Sequence, residues 1–217
     1  MTVQEIIDSV KYRVDQSGTG GLTDLQLLDY VDEGYVDFCR HTEMLEKLSD
    51  VVISAFDGMV DVPSDFLESR QTRWSYNTQL FPQPERVLDY NESDWMFEVG
   101  TPEYYTPFTW NKIRLKPIND AAGTVRFRHA YIPGTMQLTS TPEIPEVWHE
   151  ALTDFVAAQY YLIFKEYKNY QREWGRYLEK RNKARGQTRT GTPDRMMTQK
   201  PIDVYNYPKW DYGYRSK

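Results

Sequence analysis

Two segments of this chain, residues 1–42 and 142–185, carry apolar side chains at helical spacing, and the stretch between them alternates as strands do. A hydrophobic period that changes from about 3.6 residues to about 2 and back predicts a helical body interrupted by a β region. Thr2 and Glu5 stand at capping-box spacing ahead of Val3, Ile6, Ile7, Val10 and Val14, which predicts a first helix ending near Gln16. Ser17–Gly21 is a glycine-rich break. Thr23 and Gln26 repeat the capping box, and Leu28, Val31, Tyr35 and Phe38 predict a second helix to about Thr42, packed antiparallel on the first. Its other face carries Asp29, Asp32, Glu33 and Asp37.

In the middle, Asp50–Ala55 and Met59–Val62 are β-rich and flank Phe56-Asp57-Gly58, which predicts a hairpin. Further strands are expected near Ser69–Tyr76, at Arg86–Tyr90, at Lys112–Lys116 and at Gly123–Tyr131, with one helical turn at Ser93–Phe97. In the last strand Val125, Phe127 and His129 share one side and Arg126, Arg128 and Ala130 the other. Pro142 and Pro145 open a third helix whose apolar face, Val147 and Trp148 through Phe155 to Leu162 and Ile163, is wide enough for a mostly buried element. Asn169 marks a break, and Tyr170–Arg185 predicts a charged fourth helix. The expected fold is α+β and mainly α. Residues 1–44 and 142–185 form a four-helix bundle, residues 45–141 a small antiparallel β domain inserted in it, and residues 186–217 an extended arm.

Charge sharpens this division. The net charge is −6, yet the residues from Arg181 onward carry nine basic and three acidic side chains, leaving −12 on the remainder. The arm also holds aromatic rings, so Arg189, Arg195, Tyr205, Tyr207, Trp210, Tyr212 and Tyr214 are candidate partner-binding residues. Asp29, Asp32, Glu33 and Asp37 are a candidate face toward a basic neighbour or an acidic channel. Such an arm is expected to gain its structure by gripping another protein.

Catalytic constellations are not evident. The three histidines, His41, His129 and His149, fall in different elements. Glu146 and His149 form one Glu-x-x-His, but a di-iron bundle needs two such motifs and further carboxylates, so a solvated helix face is expected. The glycines at Gly18–Gly21 precede no Gly-Lys-Ser/Thr, and no Gly-x-Ser-x-Gly occurs. Cys39, the one cysteine, reads as a buried small hydrophobe in a reducing compartment. No metal or cofactor is expected. Met1–Val10 lacks the pattern of a secretory signal, and no apolar run approaches the roughly 20 residues that span a bilayer, so a protein made in the cytoplasm and not associated with membrane is expected.

Several stretches fall in a telling order: Leu22-Thr23-Asp24-Leu25-Gln26-Leu27-Leu28 running on to Val31-Asp32-Glu33-Gly34-Tyr35; Val60-Asp61-Val62-Pro63-Ser64-Asp65-Phe66; and Pro102-Glu103-Tyr104-Tyr105. Ile113-Arg114-Leu115-Lys116-Pro117, Val125-Arg126-Phe127-Arg128-His129-Ala130-Tyr131 and Ile144-Pro145-Glu146-Val147-Trp148-His149 follow. Over residues 1–185 this order resembles the head-to-tail adaptor (connector) proteins of short-tailed phages, the tail tubular protein A or gatekeeper type. The resemblance implies a structural protein of the virion neck: a homo-oligomeric ring, usually of twelve copies, joining the portal protein to the tail tube or nozzle. Genomic DNA would pass through the centre without specific binding, and an acidic lumen would repel it. The alternative reading is a DNA-binding accessory or regulatory protein that sets its basic arm on phosphates.

Overall fold

The computed structural model of the chain describes residues 1–14, 21–75, 77–91 and 95–190. Both capping boxes form. Helix α1 (Val3–Arg13) starts with the Thr2 hydroxyl accepting the Glu5 N–H at 3.3 Å while Glu5 accepts the Thr2 N–H at 2.9 Å. Helix α2 (Asp24–Thr42) repeats this with Thr23 and Gln26 and ends where Glu43 turns left-handed, its N–H reaching Cys39 O. A 3-10 turn (Glu146–Trp148) leads into helix α4 (His149–Ile163), and helix α5 (Tyr167–Thr190) follows. The break between them is Phe164–Glu166, earlier than expected, because Lys165 takes a positive φ of 59° while Asn169 is helical. Helix α5 also continues past Gly186 into the stretch assigned to the arm.

These helices enclose one core. Val3, Ile6, Ile7 and Val10 of α1, Leu27, Val31, Tyr35 and Phe38 of α2, and Tyr177 and Ala184 of α5 gather around α4. On α4 the buried side chains run on nearly every side from Ala151 to Ala158, as a central helix requires. The expected apolar face is only partly used: Val147, Leu162 and Ile163 are exposed, and Ala157 and Ala158 are buried instead. Phe155 packs against α2 at Gly34, where a Cβ would come within 2.6 Å of the ring. Glycine in a helix costs about 1 kcal/mol relative to alanine. Here the bare backbone is what lets α2 and α4 approach.

The expected architecture, a four-helix bundle with a small antiparallel insertion, does not hold. Among the described residues there are five α-helices and a nearly closed seven-stranded mixed sheet. The strands are β1 (Glu46–Ile53), β2 (Met59–Asp61), β3 (Phe66–Trp74), β4 (Thr78–Pro82), β5 (Val99–Gly100), β6 (Tyr104–Thr109), β7 (Lys112–Lys116), β8 (Ile118–Asn119) and β9 (Gly123–Tyr131). The large sheet runs β1-β9-β3-β4-β6-β7-β2, and β5 pairs with β8. Two pairings are parallel, β4 with β6 and β5 with β8. A parallel pair needs a crossover, and the fifth helix, α3 (Glu85–Asn91), lies in it, where a strand at Arg86–Tyr90 was expected. Of that segment only Leu88 is buried, and Asp89 accepts the Trp95 indole N–H at 2.8 Å.

The hairpin at Phe56–Gly58 is also corrected. The turn exists, with φ of 62° at Phe56 and 64° at Gly58, but β1 pairs with β9 and β2 with β7. Asn119 holds the turn open, accepting the Gly58 N–H at 3.0 Å and donating to Ser54 O at 2.6 Å. The sheet has its own core of Ile53, Val60, Trp74, Leu80, Ile113, Leu115, Val125 and Phe127. The segment after β9 then returns to the helices: Leu138 O and Ser140 O accept N–H groups of α1, and the Tyr35 hydroxyl accepts the Glu143 N–H. No described helix is long and apolar enough to cross a membrane.

Gly34→Val is expected to lower stability by about 1–3 kcal/mol through overpacking against Phe155. A urea midpoint at or above that of the wild type would show that the α2–α4 approach does not depend on a bare backbone.

Candidate functional site

The acidic face expected on α2 is divided by its surroundings. Asp29 and Glu33 are exposed. Asp32 is half-buried and accepts the Met136 N–H at 2.9 Å; burial holds its carboxyl above the usual range, and that bond offsets part of the shift. Asp37 turns toward α5, accepting the Tyr177 hydroxyl and an Arg181 guanidinium N–H, the latter at 3.0 Å. Burial, and then the neighbouring Asp37, push the Tyr177 phenol far above its ordinary pKa. A concavity of about 440 Å³ lies over this face, lined by Asp32, Glu33, Asp37 and Arg40 of α2, the loop at Pro133–Thr135, Phe155 and Gln159 of α4 and Trp174 of α5. No cysteine, serine or histidine lines it. Acidic and aromatic side chains line it together.

Helix α5 carries a face that the sequence reading missed. It holds eight basic and two acidic residues. Lys168, Arg172, Arg176 and Lys183 are exposed. The i, i+4 spacing of the first three was the available signal. Counting basic residues from Arg181 onward had credited Arg181, Lys183, Arg185 and Arg189 to an arm, whereas their backbone is helical. Residues 191–217 carry five basic and three acidic side chains. Of the candidate arm residues, Arg195, Tyr205, Tyr207, Trp210, Tyr212 and Tyr214 lie outside the described residues, as does the side chain of Arg189.

Inside the helical body, Arg13 reaches Asp154 and Glu173, and Lys180 reaches Asp154 at 2.7 Å and Glu150 at 2.8 Å. Asp154 and Glu173 are fully buried, so this is a structural ionic joint between α1, α4 and α5.

The remaining singled-out groups are structural. Cys39 is buried and burial pushes its thiol well up. His149 is buried with Nε2 2.9 Å from Ile144 O, which corrects the expectation of a solvated face; only Glu146 is exposed, against the amino terminus at 3.3 Å. His129 is buried against Phe66, and burial lowers its pKa. Among the described residues no group of three or more His, Cys, Asp or Glu could hold a metal ion.

The family model of the SU10 adaptor protein matches residues 1–199. The chain belongs to the SU10 adaptor protein family. No curated protein sequence matches it. Membership supports a phage adaptor role in the neck of the virion, and such structural families are typically non-enzymatic. It does not single out the tail tubular protein A or gatekeeper type.

Asp37→Ala leaves the buried Tyr177 hydroxyl and Arg181 without their acceptor. The expected loss is about 1–3 kcal/mol, accompanied by faster amide exchange in α5 than in α1. Unchanged exchange in α5 would show that the Asp37 contacts do not fasten it.

Proposed function

We propose that this chain is a head-to-tail adaptor that forms a ring, usually of twelve copies, between the portal protein and the tail tube or nozzle, and lets genomic DNA pass. The observation that carries this reading is the family match over nearly the whole chain. The structure contributes two supports. In the groove Asp32 and Asp37 are already engaged by hydrogen-bond donors, and no cysteine, serine or histidine lines it, which suits a partner surface. Acidic side chains predominate on α2 and basic ones on α5, a complementarity that suits protein–protein recognition. In this reading Arg189, Arg195, Tyr205, Tyr207, Trp210, Tyr212 and Tyr214 grip the portal, and Asp29, Asp32, Glu33 and Asp37 face a neighbour or the channel. No cofactor takes part.

A chain truncated after Thr190 is expected to keep its helical circular dichroism and lose attachment to a purified portal ring. Portal binding with unchanged affinity would refute the role of the arm.

The exposed basic residues of α5 favour a second reading, binding of nucleic acid. That reading predicts duplex DNA binding with a steep loss as salt rises. The adaptor reading expects no binding of the full chain to duplex DNA at physiological salt. Tight, salt-sensitive binding there would reverse the preference.

A further inference from the structure

The outward faces of α2 and α5 carry charges of opposite sign in the same spacing. On α2, Asp29, Glu33 and Arg40 lie at i, i+4 and i+11; on α5, Lys168, Arg172 and Glu179 lie at i, i+4 and i+11. At about 100° per residue each trio spans a narrow stripe of its helix. All six side chains are exposed. Arg172 bonds Glu173, and the other five have no ion pair among the described residues. Each stripe begins with two like charges one turn apart, an arrangement that disfavours an isolated helix; on α5 the Arg172–Glu173 pair offsets part of this, and on α2 no ion pair among the described residues does.

Within one chain α2 and α5 run in the same direction, since Asp37 meets Tyr177 and Arg181 and Thr42 O accepts the Thr188 hydroxyl further along both helices. The α5 stripe lies on the side turned away from these contacts with α2. One copy therefore presents an acidic-acidic-basic stripe at one place and a basic-basic-acidic stripe at another, which is the form of a heterologous head-to-tail contact. Rotation about an axis along the helices keeps α2 of one copy parallel to α5 of the next. That is the orientation in which the trios match end to end. Exposed apolar groups stand beside both stripes, Leu25 near Asp29 and Phe164 and Tyr167 near Lys168.

We propose that the α5 stripe of each copy docks on the α2 stripe of the next, pairing Lys168 with Asp29, Arg172 with Glu33 and Glu179 with Arg40. The proposal rests on the ring reading and names the contact that would close the ring. Three exposed pairs fix register and direction more than affinity. Self-association of the free chain is therefore read at high protein concentration and low salt, where screening is least.

The test is a charge exchange on the full chain, followed by sedimentation velocity. One variant carries Asp29→Lys and Glu33→Lys, the other Lys168→Glu and Arg172→Glu. Each alone sets like charges against like and is expected to lose the assembled species, while an equimolar mixture restores it with the two variants alternating. Arg40→Glu and Glu179→Lys make a second exchange that leaves the surroundings of Glu173 untouched and covers a failure of Arg172→Glu to fold. Assembly of every single variant to the wild-type extent, or no rescue by mixing folded variants, overturns the contact and leaves the ring reading standing. A wild-type chain that stays monomeric under these conditions removes the ring reading of the free chain together with the contact.

Discussion

Asp154 and Glu173 have no access to solvent, and the cations that reach them come from other helices as well as from α5 itself. Arg13 of α1 touches both carboxylates, and Lys180 of α5 closes on Asp154. A buried pair of this kind adds little net stability over an apolar pair, but removing one partner costs about 3–5 kcal/mol. The joint therefore acts chiefly against wrong packings. If α5 slid by one turn along α4, Lys180 would leave Asp154, and Arg13 alone would face that buried carboxylate. This adds to a narrow apolar seam: Tyr177 and Ala184 are the fully buried apolar residues of α5, Trp174 and Leu178 pack beside them, and its mean composition is strongly polar. Ionic contacts thus join Tyr177 packing in fixing the register of α5, and the positions of the exposed charges on its outer side follow from that register.

The helices were legible because their signals are local. Thr2 with Glu5 and Thr23 with Gln26 place two helix starts within one turn of chain, and capping needs no distant partner. Strands β7 and β9 were legible in full for the same reason, since alternation is written in five to nine consecutive residues. The failures are non-local. Phe56–Gly58 has the chemistry of a hairpin turn, but Asn119, far along the chain, decides which strands flank it. The segment Arg86–Tyr90 is too short for its period to separate strand from helix. Misreading it hid the crossover that a parallel β4–β6 pair requires, and with it the mixed character of the sheet.

The candidate site divides along the same line. The acidic residues of α2 could be named from sequence, but their different fates could not. Asp32 and Asp37 differ from Asp29 and Glu33 only through Met136, Tyr177 and Arg181, residues remote in sequence from α2. The error over the basic charge had another source. Arg181, Lys183 and Arg185 lie within the helix expected at Tyr170–Arg185 yet were counted with the tail, and Gly186 suggests a helix end, so Arg189 after it reads as part of an arm. Yet glycine costs a helix only about 1 kcal/mol, and Thr188 adds a bond to Thr42 O two residues later.

Moving that charge from a tail to a helix changes the physics of any contact it makes. Charges on a flexible tail can follow a phosphate backbone wherever it leads, and their reward is mostly counterion release. Charges fixed at four- and seven-residue steps on a packed helix match only a surface with the same steps. In the proposed contact Asp29, Glu33 and Arg40 supply such a surface on the same chain, and Glu33 and Arg40 also line the groove. The uniform negative charge of nucleic acid offers no partner for Glu179, whereas Arg40 of a neighbouring copy does. The sign pattern along α5, more than its net charge, is the physical ground for proposing protein docking over DNA binding.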